Sequence, residues 1–212
     1  MTIDVQNILE SILESLNRID YIRPEDVPSI DLYMDQVTTF MESRLKKSTR
    51  HPGEDKILTK TMINNYAKND LLPPPVKKKY SKEHVLLLVF IYYYKGILSI
   101  NDIQELFKPI TDKFFDTKED FDLEKIYETV FGLEDEQTEA LKKDIIEKFR
   151  ISEGTFKDAP EDSREFLQTF SFICMLSFDV YVKKLLIEKM IDGMHDRKTE
   201  TKTRKETDKK SG

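Results

Sequence analysis

Apolar residues recur at helical spacing along most of the chain, and this periodicity is the strongest constraint on its fold. Ile, Leu, Val, Met and Phe lie three and four residues apart in most segments, whereas no segment of useful length alternates polar and apolar residues. Only six glycines occur in 212 residues, so helix-breaking positions are few. The sequence therefore predicts an all-α fold class.

Proline and charge patterns divide the chain into four predicted regions. Residues 1–30 form a helix and a linker, residues 31–108 a compact helical domain, and residues 109–195 a second helical domain. Residues 196–212 contain no apolar side chain and are predicted to be a disordered tail. The predicted helices lie at 4–17, 31–46, 59–68, 82–95, 100–107, 122–131, 134–149 and 163–194.

Charge is distributed unevenly between these regions. The formal charge of the chain is −6, yet residues 44–84 hold eleven Lys or Arg and four acidic residues, a net charge of +7. The remainder must therefore carry −13. This asymmetry predicts that one segment faces an anionic partner while the rest of the surface is acidic and solvated.

The basic segment contains a short helix, a run of three prolines and a run of three lysines. Thr59 can cap the helix, and the prolines must end it because proline donates no backbone hydrogen bond. Amide and amine groups on its outer face could contact base edges and phosphates in a major groove, while lysines on a stiff loop could follow the phosphate backbone. The candidate DNA-binding residues are Lys60, Thr61, Asn64, Asn65, Lys68, Lys77, Lys78 and Lys79.

The stretch "MINNYAKNDLLPPP" resembles the recognition helix and exit of MerR-type regulators, whose usual form is Thr-Ile-Arg-Tyr-Tyr-Glu-Arg-x-Gly-Leu-Leu-Pro-Pro. The continuation "KKYSKEHVLLLVFIYYYKGILSINDIQELF" is similar to their next element, and the layout of the chain also resembles a bacterial domain-of-unknown-function family related to MerR-like proteins. The resemblance implies a MerR-like winged helix-turn-helix followed by a helical C-terminal bundle.

Carried over position by position, the resemblance assigns roles within the short helix. Asn64 and Asn65 stand where MerR-type proteins place an Arg and a Tyr that touch DNA, and Lys68 occupies the second Arg position. The wing is shorter than usual, so Lys77, Lys78 and Lys79 would replace its tip. The long dimerising coiled coil is not predicted here, because Pro109 interrupts the region and no sustained heptad follows.

These observations support a hypothesis and one alternative from another class. The hypothesis is a cytoplasmic bacterial transcriptional regulator, a repressor, that binds double-stranded DNA as a homodimer, with the apolar helix 163–194 as the candidate interface. The alternative is a protein-interaction adaptor that uses a degenerate MerR-like module. Binding of single-stranded RNA is disfavoured because the chain lacks an evident stacking platform.

Other functional classes receive little support from the sequence. The single cysteine, Cys174, excludes an internal disulfide framework and fits a reducing compartment. The histidines, His51, His84 and His195, are scattered without metal-ligand spacing, and no phosphate loop or nucleophile elbow occurs. We therefore expect no enzymatic activity, no cofactor, no metal and no membrane span.

Overall fold

The computed structural model describes residues 5–16, 22–51, 54–117 and 119–210. Within these residues most of the chain is helical and each strand has only two residues, so the all-α fold class is confirmed. In chain order the elements are α1 (Val5–Leu16), β1 (Leu32–Tyr33), α2 (Met34–Leu45), α3 (Lys60–Lys68), β2 (Lys79–Tyr80), α4 (Lys82–Tyr94), α5 (Ile100–Phe114), α6 (Leu123–Glu153) and α7 (Glu161–Lys210).

The chain folds as two compact units, each built from two separate stretches. The first, here called the wing unit, comprises Ile22–Glu128 and Lys184–Gly212. The second, here called the helical unit, comprises Met1–Tyr21 and Thr129–Lys183. The sequence placed domain boundaries after residues 30 and 108, so the wing unit extends further in both directions than the predicted domain.

Tyr127 explains why the wing unit extends beyond the predicted domain. This tyrosine is fully buried, and its hydroxyl donates to the backbone carbonyl of Ile22 at 2.7 Å. Val27 and Leu123 are also buried. The segment that was predicted to be a linker and the first turns of α6 are therefore both held in this unit's core.

Helix α4 forms the centre of the wing unit. Every residue from 84 to 91 is buried, as expected for a helix that is apolar on all sides. The Phe90 ring lies 5.5 Å from the Phe107 ring and 5.1 Å from the Tyr127 ring, measured between centroids. These contacts pack α5 and α6 against α4.

Helix α5 begins where the sequence predicted but continues past residue 107, where it was predicted to end. Its N-terminus carries a capping box, since the Ser99 hydroxyl accepts from the Asp102 backbone N–H at 3.2 Å and Asp102 accepts from the Ser99 backbone N–H at 3.1 Å. Pro109, predicted to interrupt this region, lies inside the helix. Because Pro109 is exposed, water can solvate the backbone groups around it.

The helices after residue 120 are longer than predicted. Helix α6 runs continuously through Gly132, where the sequence predicted a break between two helices, because a glycine inside a helix costs only about 1 kcal/mol. The backbone of α7 is helical to Lys210, whereas a disordered tail was predicted for 196–212; residues 211–212 lie outside the described residues. Lys, Arg and Glu in this stretch are good helix formers, which is compatible with extension of the helix.

In the helical unit, α6 and α7 form an antiparallel pair joined by a short connection. The Phe149 and Phe172 rings meet edge to face with their centroids 5.5 Å apart. Lys148 bridges Asp144 on its own helix and Asp179 on α7. Among the described residues, no helix combines the length and apolar character needed to cross a bilayer.

Candidate nucleic-acid interface

Helix α3 separates its polar and apolar residues onto two faces. Ile63 and Tyr66 are buried and Met62 is half-buried. Burial also raises the pKa of the Tyr66 hydroxyl. The exposed face carries five of the predicted contact residues, Lys60, Thr61, Asn64, Asn65 and Lys68.

Both ends of α3 are fixed by local hydrogen bonds. The Thr59 hydroxyl accepts from the Met62 backbone N–H at 3.2 Å, which confirms the predicted N-cap. At the other end, the Leu71 backbone N–H donates to the Tyr66 carbonyl at 2.9 Å around Asp70, whose φ is 53°. This is the left-handed C-terminal turn that glycine usually occupies. A nine-residue helix with both ends fixed presents its outer face in one orientation.

The three lysines after the prolines lie on a β-hairpin, where the sequence predicted a stiff basic loop and the resemblance implied a short wing. Val76 and Lys79 exchange two backbone hydrogen bonds, of 3.1 and 2.9 Å, across a two-residue tip. The tip residues Lys77 and Lys78 are exposed, with φ values of 51° and 65°. Positive φ at both central residues defines a type I′ turn. We call residues 76–80 the wing.

The wing is extended into a small sheet by β1. Leu32 pairs with Tyr80 and Tyr33 with Lys79 in an antiparallel register. Leu32 and Tyr80 are buried, so the base of the wing is part of the core of the wing unit. Pairing with β1 and the burial of Leu32 and Tyr80 explain how so short a hairpin can be ordered.

Helix α2 and β1 connect the wing to the start of α3. The Lys79 ammonium lies 5.3 Å from the centroid of the exposed Tyr33 ring, and Lys60 forms an ion pair with Asp35. Tyr33 and Asp35 are two residues apart, so Lys79 and Lys60 lie at neighbouring places on the surface. No sequence signal identified Tyr33 or Asp35, because each contact joins residues far apart in the chain.

The connection between α2 and α3 is anchored on α4. The Ser48 and Tyr92 hydroxyls lie 3.0 Å apart, and the Lys95 ammonium donates to the Ile57 carbonyl at 2.6 Å. Burial lowers the pKa of Lys95, and its ammonium also lies 4.9 Å from the centroid of the Tyr92 ring. These contacts hold the segment that leads into α3.

His84 lies behind the wing, in the first turn of α4. Its Nδ1 accepts a hydrogen bond from the Ser81 backbone N–H at 3.0 Å, and its ring meets the Tyr80 and Phe115 rings edge to face. The buried Nε2 makes no hydrogen bond of normal geometry, although the carbonyls of Pro73 and Pro74 lie near enough to influence it. Burial lowers the pKa of His84, and those carbonyls, together with Asp31 and Asp116, offset the effect in part.

The surface formed by α3 and the wing has the chemistry of an anion-binding site. Lys60, Lys68, Lys77 and Lys78 are exposed cations, and amide groups lie among them on α3. Lys79 is half-buried against Tyr33, so its ammonium is more restrained than those at the tip. In the described part of the chain, no group of three or more His, Cys, Asp or Glu side chains could hold a metal ion.

Comparison with known proteins adds one result. A family model described as "Domain of unknown function (DUF1836)" matches residues 22–130. The match begins where the wing unit begins and ends two residues beyond Glu128. No curated protein and no solved structure matches the chain significantly.

Proposed function

The chain belongs to the DUF1836 family through a segment that contains both α3 and the wing, and from this premise we propose that the segment binds double-stranded DNA. Helix α3 enters the major groove, and the wing lies along the phosphate backbone. The protein acts in the cytoplasm as a bacterial transcriptional regulator, a repressor, and binds as a homodimer.

The observation that carries this proposal is the conformation of Lys77 and Lys78. Both have positive φ, a backbone conformation that costs a residue other than glycine about 1 kcal/mol. An Asn-Gly pair would adopt this turn with less strain. Three adjacent like charges on one short hairpin add electrostatic repulsion. A tip that retains lysines despite both costs is explained if the charges have a function, and binding of phosphate is the simplest one.

Helix α3 supplies the groups suited to base recognition. Asn64 and Asn65 lie on its exposed face, and an asparagine amide can bond adenine N6 and N7 together. Lys60 and Lys68 lie at its two ends, where they can reach phosphates. The bound sequence should therefore contain adenine opposite α3.

The MerR-like interpretation gains support from Asp70. In the resembled pattern the corresponding position is a glycine, and Asp70 has the positive φ that glycine adopts most easily. The order of strand, two helices, hairpin and two further helices is likewise compatible with a winged helix-turn-helix. A single short helix reads few bases, so two-fold symmetry is the usual route to sufficient specificity, and the proposal includes a homodimer for that reason.

One observation favours the alternative, a protein-interaction adaptor. Lys60 is paired with Asp35, so a carboxylate lies on the proposed DNA surface and neutralises one of its cations. Both side chains are largely exposed, however, and such pairs contribute at most about 1 kcal/mol. Lys60 can therefore exchange Asp35 for a phosphate at little cost.

The salt dependence of DNA binding tests the proposal. We would measure the affinity for a random-sequence duplex between about 50 and 200 mM salt for the native chain and for Lys77→Asn combined with Lys78→Gly. These substitutions remove two charges but suit a type I′ turn, so we expect a fold of equal or greater stability. The slope of log affinity against log salt should decrease by about two per protomer.

A matched control removes the same charge elsewhere. Lys143→Asn with Lys157→Asn changes two exposed lysines of the helical unit and should leave the slope unchanged. A folded native chain without salt-dependent affinity, or a wing variant whose slope equals the native one, contradicts the proposal and favours the adaptor.

A further inference from the structure

Helix α7 has an inner face that packs on α6 within the helical unit. Phe172 on this face is buried against Phe149, and Asp179 pairs with Lys148 at 2.9 Å. Gln168 donates from its side chain to the backbone carbonyl of Glu153 at 2.7 Å. These three α7 residues lie on one side of the helix.

The opposite side of α7 is apolar and exposed. Phe166 is 66% exposed, Phe178 65% and Tyr181 63%. The only charged residue between positions 166 and 182 is Asp179, and it belongs to the inner face. We call the exposed side the outer face; its members are Phe166, Phe170, Ile173, Cys174, Ser177, Phe178, Val180 and Tyr181.

The outer face is larger than a soluble monomer usually exposes. Four aromatic side chains that are half to two-thirds exposed present about 130 Å² each, and Ile173 and Val180 bring the total to about 700 Å². The face runs for about 22 Å along the helix. A typical monomer's largest apolar patch is about 300–600 Å², whereas a standard interface buries about 800 Å² on each partner.

We propose that the outer face of α7 binds the same face of a second copy of this chain across a two-fold axis. An isologous contact must be complementary to itself, and a face without charges satisfies this requirement because no like charges are brought together. Its area is close to that required for one side of a stable dimer. The inference deepens the proposed function by identifying the surface that would bring two DNA-binding units together.

The geometry places the axis near the middle of the face. Ile173 and Cys174 lie midway between Phe166 and Tyr181. If the two-fold axis passes through the middle of the face, each of them lies opposite the same residue of the second copy. Ile173 is 53% exposed and Cys174 is also exposed, so substitutions there disturb no packed core. Both residues can therefore serve as probes of the contact.

The first experiment is sedimentation equilibrium of the full chain without DNA. We expect the native chain to be a dimer at micromolar concentration. Ile173→Glu and Ile173→Lys should each weaken association at least about 100-fold, because each brings two like charges together in an apolar contact. An equimolar mixture of the two variants should recover the dimer, which a variant that had simply failed to fold could not do.

Two further measurements define the outcome. A short bismaleimide should cross-link native chains through Cys174 and leave Cys174→Ser uncross-linked. Lys143→Glu, an acid added at an exposed position of α6, should remain dimeric. A native chain that is monomeric at about 100 μM, a dimer unaffected by both Ile173 substitutions, or binding of this face to phospholipid vesicles instead overturns the proposal.

The proposed dimer and the proposed DNA interface can each be refuted without refuting the other. The oligomeric state is measured without DNA, and the wing variant leaves the outer face intact. A monomer with salt-dependent DNA affinity would refute only the dimer. A dimer without DNA affinity would refute only the interface.

Discussion

His84 is a buried residue whose two ring nitrogens have different surroundings. Nδ1 accepts from the Ser81 backbone, so the neutral ring carries its proton on Nε2, which lies near the Pro73 and Pro74 carbonyls. A second proton on the ring would abolish the bond at Nδ1 and leave a charge at a site with 3% exposure. The fold therefore favours the neutral histidine at the base of the wing.

The pH dependence of stability should reveal this preference. Burial lowers the folded-state pKa of His84 below its ordinary value near 6.5, so between those two values the unfolded chain binds the extra proton. Stability is thus fully present above about pH 6.5 and is lost as pH falls through the folded pKa, by at most about 1.4 kcal/mol per pH unit. Urea unfolding at pH about 7.5, 6.5 and 5.5 measures the slope.

His84→Gln provides the comparison for that slope. Glutamine can keep the hydrogen bond to the Ser81 backbone, as in a capping box, but does not titrate. We expect lower stability at every pH from lost ring packing, with a smaller loss between pH about 6.5 and 5.5. The pKa of Glu83 is raised, chiefly by burial, and affects both proteins alike. Equal slopes in the two proteins would show that His84 is not responsible.

At the scale of elements, α3 depends on its cap more than a long helix would. It has nine residues, a length at which helices are marginal without tertiary contacts, and Thr59 satisfies its Met62 N–H. Thr59→Ala should lower the free energy of unfolding by about 1 kcal/mol, whereas Thr59→Ser, which retains the hydroxyl, should cost less. Thermal unfolding measures both. If the two variants are equally destabilised, the methyl group rather than the cap is responsible.

Sequence alone predicted the helices of this protein better than its wing. The N-cap at Thr59 and the helical spacing of apolar residues are local signals, and the structure confirms both. Strands of two residues contain too few positions to show alternation, so β1 and β2 left no such signal. Lys77 and Lys78 also occupy a turn whose preferred residues are Asn and Gly, so turn chemistry gave no indication of it.

Contacts between distant residues account for the rest of what was missed. The pairing of Lys60 with Asp35 and the position of Lys79 over Tyr33 depend on how α2, α3 and β1 are arranged. Likewise, the sequence predicted an apolar helix at 163–194, and only the contacts of α7 with α6 distinguish an inner face from an outer one. Periodicity identifies which residues share a face but not what each face meets.

At the scale of the whole molecule, the two proposals together predict the form of the DNA target. A two-fold dimer reads two inverted half-sites, and their centres should lie about 10 base pairs or a multiple of it apart. Selection from a random duplex pool at about physiological salt should enrich such a palindrome, with adenine in each half. Asn64→Ala with Asn65→Ala should abolish the enrichment, whereas Asn101→Ala, an exposed amide on α5, should not.

The Ile173→Glu variant tests whether enrichment of a palindrome depends on the dimer surface. Ile173→Glu should enrich only a half-site, and with lower affinity, because α3 is unchanged while the second copy is lost. Enrichment of the full palindrome by this variant would contradict the dimer surface. Absence of any enriched sequence with the folded native chain would contradict base recognition by α3.

The two-residue tip of the wing also limits how this family can diversify. Two residues form the shortest common connection between antiparallel strands, and one inserted residue would alter the turn type and the pairing of Val76 with Lys79. Natural relatives should therefore exchange side chains at positions 77 and 78 without changing their number. The charge of this hairpin can then evolve while its scaffold stays constant, so one substitution at a time can adjust affinity for a polyanion.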